Sequence, residues 1–226
     1  MEKEAGILLK QEIKICLPFY KIVSSLLFIF ILSLVRGISY VEEIGIAIEE
    51  PRAVLAMVFC ADSYLVEVQS GRSDIFKLYS FKKQMAVIWK RILLQVFYLM
   101  IITMAGYGLF YWQNPERWAE EISEAGMFGI FIPAVAVTIL FFSLFSVTVS
   151  NLFRNLWAGI GLSFVFWLFF VSKSINELLG TWSLFAYSFR SLEEPYNFNW
   201  LYGKLMTVIF AFILAALMPV ILKKRG

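Results

Sequence analysis

Histidine is absent from this 226-residue chain, and cysteine occurs only at Cys16 and Cys60. Without imidazole there is no His-based zinc, haem or facial-triad iron site, and no Ser-His-Asp or Cys-His mechanism. The two thiols fall on different segments at or near one side of the expected layout. That suits reduced bystanders better than a disulfide. Charged residues make up only 16% of the chain. No Gly-x-x-x-x-Gly-Lys-Ser/Thr loop occurs, so the chain cannot bind nucleotide in that mode. Internal repeats, low-complexity tracts and a soluble domain boundary are also missing. These absences argue against an enzyme and against any metal or cofactor bound by the chain itself.

What the chain has in excess is apolar sequence, at 60% of residues with a mean hydropathy of +0.75, against roughly 45–50% in soluble domains. Long apolar stretches alternate with short polar ones. A run of about 18 or more apolar residues crosses a bilayer as a helix, because backbone polar groups in hydrocarbon must be satisfied within the segment. Six such helices are expected, over 17–35, 51–68, 92–112, 127–149, 156–171 and 200–222. The fold expected is an all-α integral membrane protein, a single transmembrane domain over 1–226. Trp89, Trp112, Trp157 and Trp200 stand at the boundaries, where amphipathic rings meet the headgroups.

The basic residues orient the spans. Lys3, Lys10, Lys14 and Lys21 precede or open the first. Arg72, Lys77, Lys82, Lys83, Lys90 and Arg91 lie between the second and third, Arg154 between the fourth and fifth, and Lys223, Lys224 and Arg225 form a basic tail over 223–226. These are 14 of the 20 Lys and Arg, and they place both termini in the cytoplasm. Glutamates collect in the opposite loops, so the net charge of +3 sums two differently charged faces and carries no sign of nucleic acid. Glu2, Glu4 and Glu12 interrupt the basic start and no small-residue cleavage site follows, so a cleavable signal peptide is not expected. Residues 1–16 pattern as an interfacial helix, with Ala5, Leu8, Leu9, Ile13 and Cys16 opposite a lysine face; a plain positive flank is the simpler alternative.

Asp62 is the one acidic residue well inside an expected span. A carboxylate costs roughly 2.5–3.5 kcal/mol at a helix centre on insertion scales. A buried structural partner, such as a hydroxyl or a basic residue near Lys90, explains it better than a substrate site. The segment from Glu67 to Arg91 is richer. Ile75, Phe76, Leu78, Tyr79 and Phe81 stand among basic residues in a cytoplasmic loop that needs no apolar groups if merely solvated. The 173–200 loop is long and aromatic, with Trp182, Phe185, Tyr187, Phe189, Tyr196, Phe198 and Trp200.

Here the chain resembles the membrane subunit of an ABC-2-type ABC transporter. Such permeases have an interfacial N-terminal helix, six spans and a first cytoplasmic loop in which a glutamate precedes a glycine, a short coupling helix, a basic patch and a lysine opening the third span. Glu67, Gly71, the Asp74 to Phe81 segment, Lys82, Lys83 and Lys90 stand in those places. The family's usual Gly-Thr and proline are absent: Arg72 follows Gly71, and Ser80 stands near the expected proline. The polar turn Ser150, Asn151, Arg154, Asn155 is a further match.

The resemblance implies a permease of an ATP-driven exporter in the cell membrane. ATP and Mg would sit on a separate cytoplasmic ATPase, and two copies of the permease would form the path between them. Ile75, Phe76, Leu78 and Tyr79 would enter a cleft of the ATPase, with Arg72, Asp74, Lys77, Lys82 and Lys83 around them. A loop that only enforces topology and binds lipid is the simpler reading of the lysines. The resemblance also implies short re-entrant helices in the 173–200 loop, for which aromatic anchoring is the alternative. The expected substrate is amphipathic or hydrophobic: a peptide, a drug or a lipid. A secondary transporter or channel, and an anchor or immunity protein that only binds a partner, are the other classes.

Overall fold

The computed structural model describes residues 11–65, 78–117, 123–191 and 197–225. Among them the chain is helical without a named strand. Residues 11–16 are helical, followed by α1 (Phe19–Val35), α2 (Glu43–Cys60), α3 (Phe81–Tyr111), α4 (Glu124–Phe153), α5 (Leu156–Val171), the short α6 (Lys173–Leu179) and α7 (Trp200–Arg225). A 3-10 turn, Gly180–Trp182, follows α6.

By length and composition α3, α4 and α7 can cross a membrane, and α5 joined to the following segment makes a fourth candidate bent by 67°. α1, at 17 residues, is apolar but short. α2 is long enough yet carries Glu43, Glu49, Glu50 and Arg52.

α5 has the expected bounds 156–171, and the C-terminal end of α3 and the N-terminal ends of α4 and α7 lie near the expected ones. α2 does not fit: it begins at Glu43, eight residues before Pro51. The Glu43 carboxylate accepts from the amides of Ser39 (2.9 Å) and Tyr40 (3.3 Å), satisfying donors ahead of the first turn. Pro51 then sits inside the helix instead of opening it. Its missing N–H frees the carbonyl four residues back, and Arg36 Nη1 approaches that Ala47 oxygen at 3.5 Å. α3 begins at Phe81, eleven residues before the expected span.

α2 is the centre of the bundle and packs against α4, α3 and α5. Ile44, Ala47, Ile48, Ala53, Ala56, Met57 and Cys60 are all buried on it. Phe141, Phe145 and Phe166 stack between α4 and α5, Phe142 meets Phe141 and Phe166 edge-on, and Phe185 lies against Phe142 at 5.7 Å. α7 packs on α4 and the 3-10 turn. Gly203 permits this, since a Cβ there would stand 2.9 Å from the Thr181 carbonyl oxygen. The outward faces of α1, α5 and α7 are apolar, with Phe30, Leu34, Val165, Phe169, Leu205 and Phe212 exposed. Such surface on three helices fits lipid contact.

α1 buries one stripe, Lys21, Ser25, Ile29 and Ser33, spaced four apart, with Phe28 and Leu32 packed partly buried beside it. Ser25 hydrogen-bonds Tyr98 on α3 at 2.7 Å.

Candidate functional site

Two buried polar networks lie along α2, one near its middle and one at its C-terminal end. In the first, Glu49 is fully buried and ion-paired with Lys204 near the start of α7. Thr138 of α4 donates to Glu49 Oε1 at 2.7 Å and accepts from Lys204 Nζ at 2.7 Å. Ser188 donates to Glu49 Oε2 at 2.6 Å, and Lys204 donates to the Leu184 carbonyl at 3.0 Å. One carboxylate thus gathers α2, α4, α7 and the 183–190 segment. The pair is charge-neutral and each charge has added hydrogen bonds, the condition for burying an ion pair in low dielectric.

The second network closes the far end of α2. A helix leaves its last carbonyls without intrahelical donors. Here Phe59 O accepts from Lys21 Nζ (2.8 Å) and Gln95 Nε2 (3.0 Å). Lys21 also pairs with Asp62 at 2.8 Å. Arg91 pairs with Glu12 at 2.8 Å and donates to Ser63 O at 3.3 Å. Ser63 Oγ lies 2.7 Å from both Cys60 O and Gln95 Oε1. A cation at a helix C-terminus is also favoured by the helix dipole. The network binds the 11–16 segment, α1, α2 and α3 into one unit.

Asp62 therefore has the buried structural partner expected of it, though the partner is Lys21. It also lies past the end of α2, in a turn over 61–64. Cys16 and Cys60 are both buried and unpaired. Among the described residues no group of His, Cys, Asp or Glu is placed to hold a metal ion.

Of the expected coupling residues, Glu67, Gly71, Arg72, Asp74, Ile75 and Phe76, with Lys77, lie outside the described residues. Leu78 is 84% exposed and Tyr79 53%. Lys82 and Lys83 are exposed on the first turn of α3, and Lys90 is half-buried. Arg154 and Asn155 form the connection between α4 and α5, whereas Asn151, expected in the same turn, lies in the last turn of α4. Arg154 adopts a left-handed conformation (φ 51°) that ends α4. Asn155 Oδ1 then caps α5, accepting from the amides of Trp157 (2.9 Å) and Ala158 (3.3 Å). Asn151 is buried, and neither atom of its amide has a partner among the described residues.

Gly159 and Ser25 make close helix packing within the chain. A Cβ on Gly159 would meet Ser150 Cα at 2.8 Å. Gly161 has open space instead. In the 173–200 loop, Trp200 and Tyr187 pack edge to face, and a mostly apolar cleft of about 410 Å³ opens between Lys173, Asn176, Phe189, Arg190, Asn199 and Trp200.

Sequence reasoning missed Glu49, Arg52 and Lys204. Glu49 reads as part of an acidic loop because it precedes Pro51, and Arg52 follows it. Lys204 was the available signal: a lysine four residues into an apolar span requires a carboxylate elsewhere in the bundle. Comparison with protein-family models, with curated proteins and with solved structures finds no match.

Proposed function

We propose that this chain is the permease subunit of an ATP-driven exporter of the ABC-2 kind, resident in the cell membrane. In this reading α1, α2, α3, α4, α5 and α7 are six spans, the termini and the 67–91 segment face the cytoplasm, and two copies form the path. Nucleotide and Mg belong to a separate ATPase. The observation that carries the reading is the length and head of α3. Its 31 residues extend roughly 46 Å at 1.5 Å per residue, against a hydrocarbon core of ~30 Å. About three turns can therefore stand clear of the membrane, and their leading end carries exposed Leu78, Tyr79 and Phe81 beside Lys82 and Lys83. Apolar residues at the tip of a projecting helix, ringed by lysines, suit docking to a cytoplasmic protein.

The test is coexpression with the ABC ATPase encoded nearest to this gene. Phe76→Ala, Leu78→Ala and Tyr79→Ala together should abolish co-purification and substrate-stimulated ATP hydrolysis while the permease stays monodisperse. Lys82→Ala and Lys83→Ala should chiefly change the salt dependence of association. Unchanged stimulation in the triple variant would falsify the coupling role.

One observation favours a second reading. Glu49, Arg52 and Lys204 place ionisable groups inside the bundle, as ion-coupled secondary transporters require. Substrate movement driven by an imposed proton gradient, in vesicles holding this chain alone, would select that class.

A further inference from the structure

Among the described residues four cations on the helices are almost wholly buried: Lys21, Arg52, Arg91 and Lys204. Three have a carboxylate, namely Asp62, Glu12 and Glu49 respectively. Arg52, at 1% exposure, has none. Its Nε, Nη1 and Nη2 lack any hydrogen-bond acceptor among the described residues. Glu49, one turn away on α2, is taken by Lys204, Thr138 and Ser188. An unpaired guanidinium buried in a helix bundle is costly, so the residue is held there against its own solvation.

The surroundings show how it is housed. A Cβ at position 106 would stand 2.8 Å from Arg52 Nη2 and 3.6 Å from two carbons of Ile29. The guanidinium thus takes the space that a side chain on α3 would fill, and α1 lies against the same spot through Ile29. α1 is seated by four buried residues with Phe28 and Leu32 partly buried beside them, and because its Ile29 covers the guanidinium it is the element whose displacement uncovers Arg52. Next to that seam the outward surfaces are apolar, with Phe30 and Ile31 on α1 and Phe97 and Ile101 on α3.

We propose that Arg52 is an anion-binding residue that receives the phosphate or carboxylate head of an amphiphile whose apolar chain lies along α1 and α3. The planar guanidinium fork matches both head groups through paired, charge-assisted hydrogen bonds. The seam supplies apolar surface for the chain, and a shift of α1 gives entry. The ligand completes the charge pair that, among the described residues, the buried Arg52 lacks. A resident anionic lipid and a transported anionic amphiphile share this chemistry.

The experiment uses the full chain purified in neutral maltoside detergent, without an ATPase, so that it stands apart from the coupling reading. Dodecyl phosphate probes the free amphiphile. Phosphatidylglycerol against phosphatidylcholine in nanodiscs, read by native mass spectrometry, probes the lipid. Wild type should bind dodecyl phosphate, or retain phosphatidylglycerol selectively, and inorganic phosphate alone should not compete at equal concentration. Arg52→Met should lower that affinity at least about tenfold, and the ligand-free variant should unfold at a higher temperature than wild type, because an unpaired buried cation is gone. If the methionine variant does not fold, Arg52→Lys and Arg52→Gln carry the comparison, with lysine retaining affinity and glutamine losing it. Equal affinity in those two variants, undiminished binding by Arg52→Met, or no binding of either probe by wild type overturns the proposal.

Discussion

Replacing Lys204 by methionine is the sharpest probe of how the bundle is held together. The substitution keeps length and apolar stem but leaves Glu49, fully buried, with only the Thr138 and Ser188 hydroxyls as donors. Removing one member of a buried ion pair typically costs about 3–5 kcal/mol. For chains of this size 1 kcal/mol moves the transition by roughly 2–4 °C, so the loss should be about 6–20 °C. Glu49→Gln added to Lys204→Met removes the stranded charge, while its amide oxygen still accepts from Ser188. The double variant should recover most of the loss, with a coupling energy above about 1 kcal/mol. The assay is the fraction of monodisperse chain surviving a temperature series in detergent. A drop under ~3 °C for Lys204→Met, or a double variant no better than the sum of the singles, refutes the view that this pair carries its environment's desolvation.

Gly159→Leu should separate α4 from α5, because its Cβ meets Ser150 backbone, and cost about 1–3 kcal/mol; Gly161→Leu, in open space, should leave the same thermal assay unchanged. Asn155→Ala removes the α5 cap and should cost about 1 kcal/mol, with faster hydrogen exchange at the Trp157 and Ala158 amides, while Asn155→Ser should restore most of it.

The helical class, α5 to the residue and the start of α7 were legible because unbroken apolar runs leave little freedom in hydrocarbon, whereas α7 runs on through Lys223 and Lys224 to Arg225 instead of ending at 222. Asn155 was legible as part of a polar turn, though its capping role needed the geometry. α2 was not legible in the same way. Hydropathy averages each residue as if it met lipid, whereas Glu49 and Arg52 meet protein, and Pro51 marks a helix start only when nothing ahead of it can satisfy the earlier amides. The Glu43 carboxylate does so. Lys21 presents the complementary case: counted as a topological flank, it serves as the partner of Asp62 and the cap of α2. A charge near a span boundary can do both, and position along the chain does not separate them. The apolar coupling segment was legible only as composition, and of its residues Leu78, Tyr79 and Phe81 are the ones whose exposure is seen.

The Glu49–Lys204 pair also sets an order on biosynthesis. The two residues are 155 apart, and at roughly 5–20 residues per second the ribosome needs about 8–30 s to travel between them. Throughout that interval α2 exists without the cation that balances its innermost carboxylate. Thr138 arrives on the way and Ser188 shortly before the lysine, so Glu49 acquires its hydrogen bonds in the sequence hydroxyl, hydroxyl, ammonium. The final helix is therefore the keystone of the first half of the protein. A nascent chain stalled before residue 204 holds a central helix with a stranded charge, the kind of segment on which membrane insertases and quality-control proteases act.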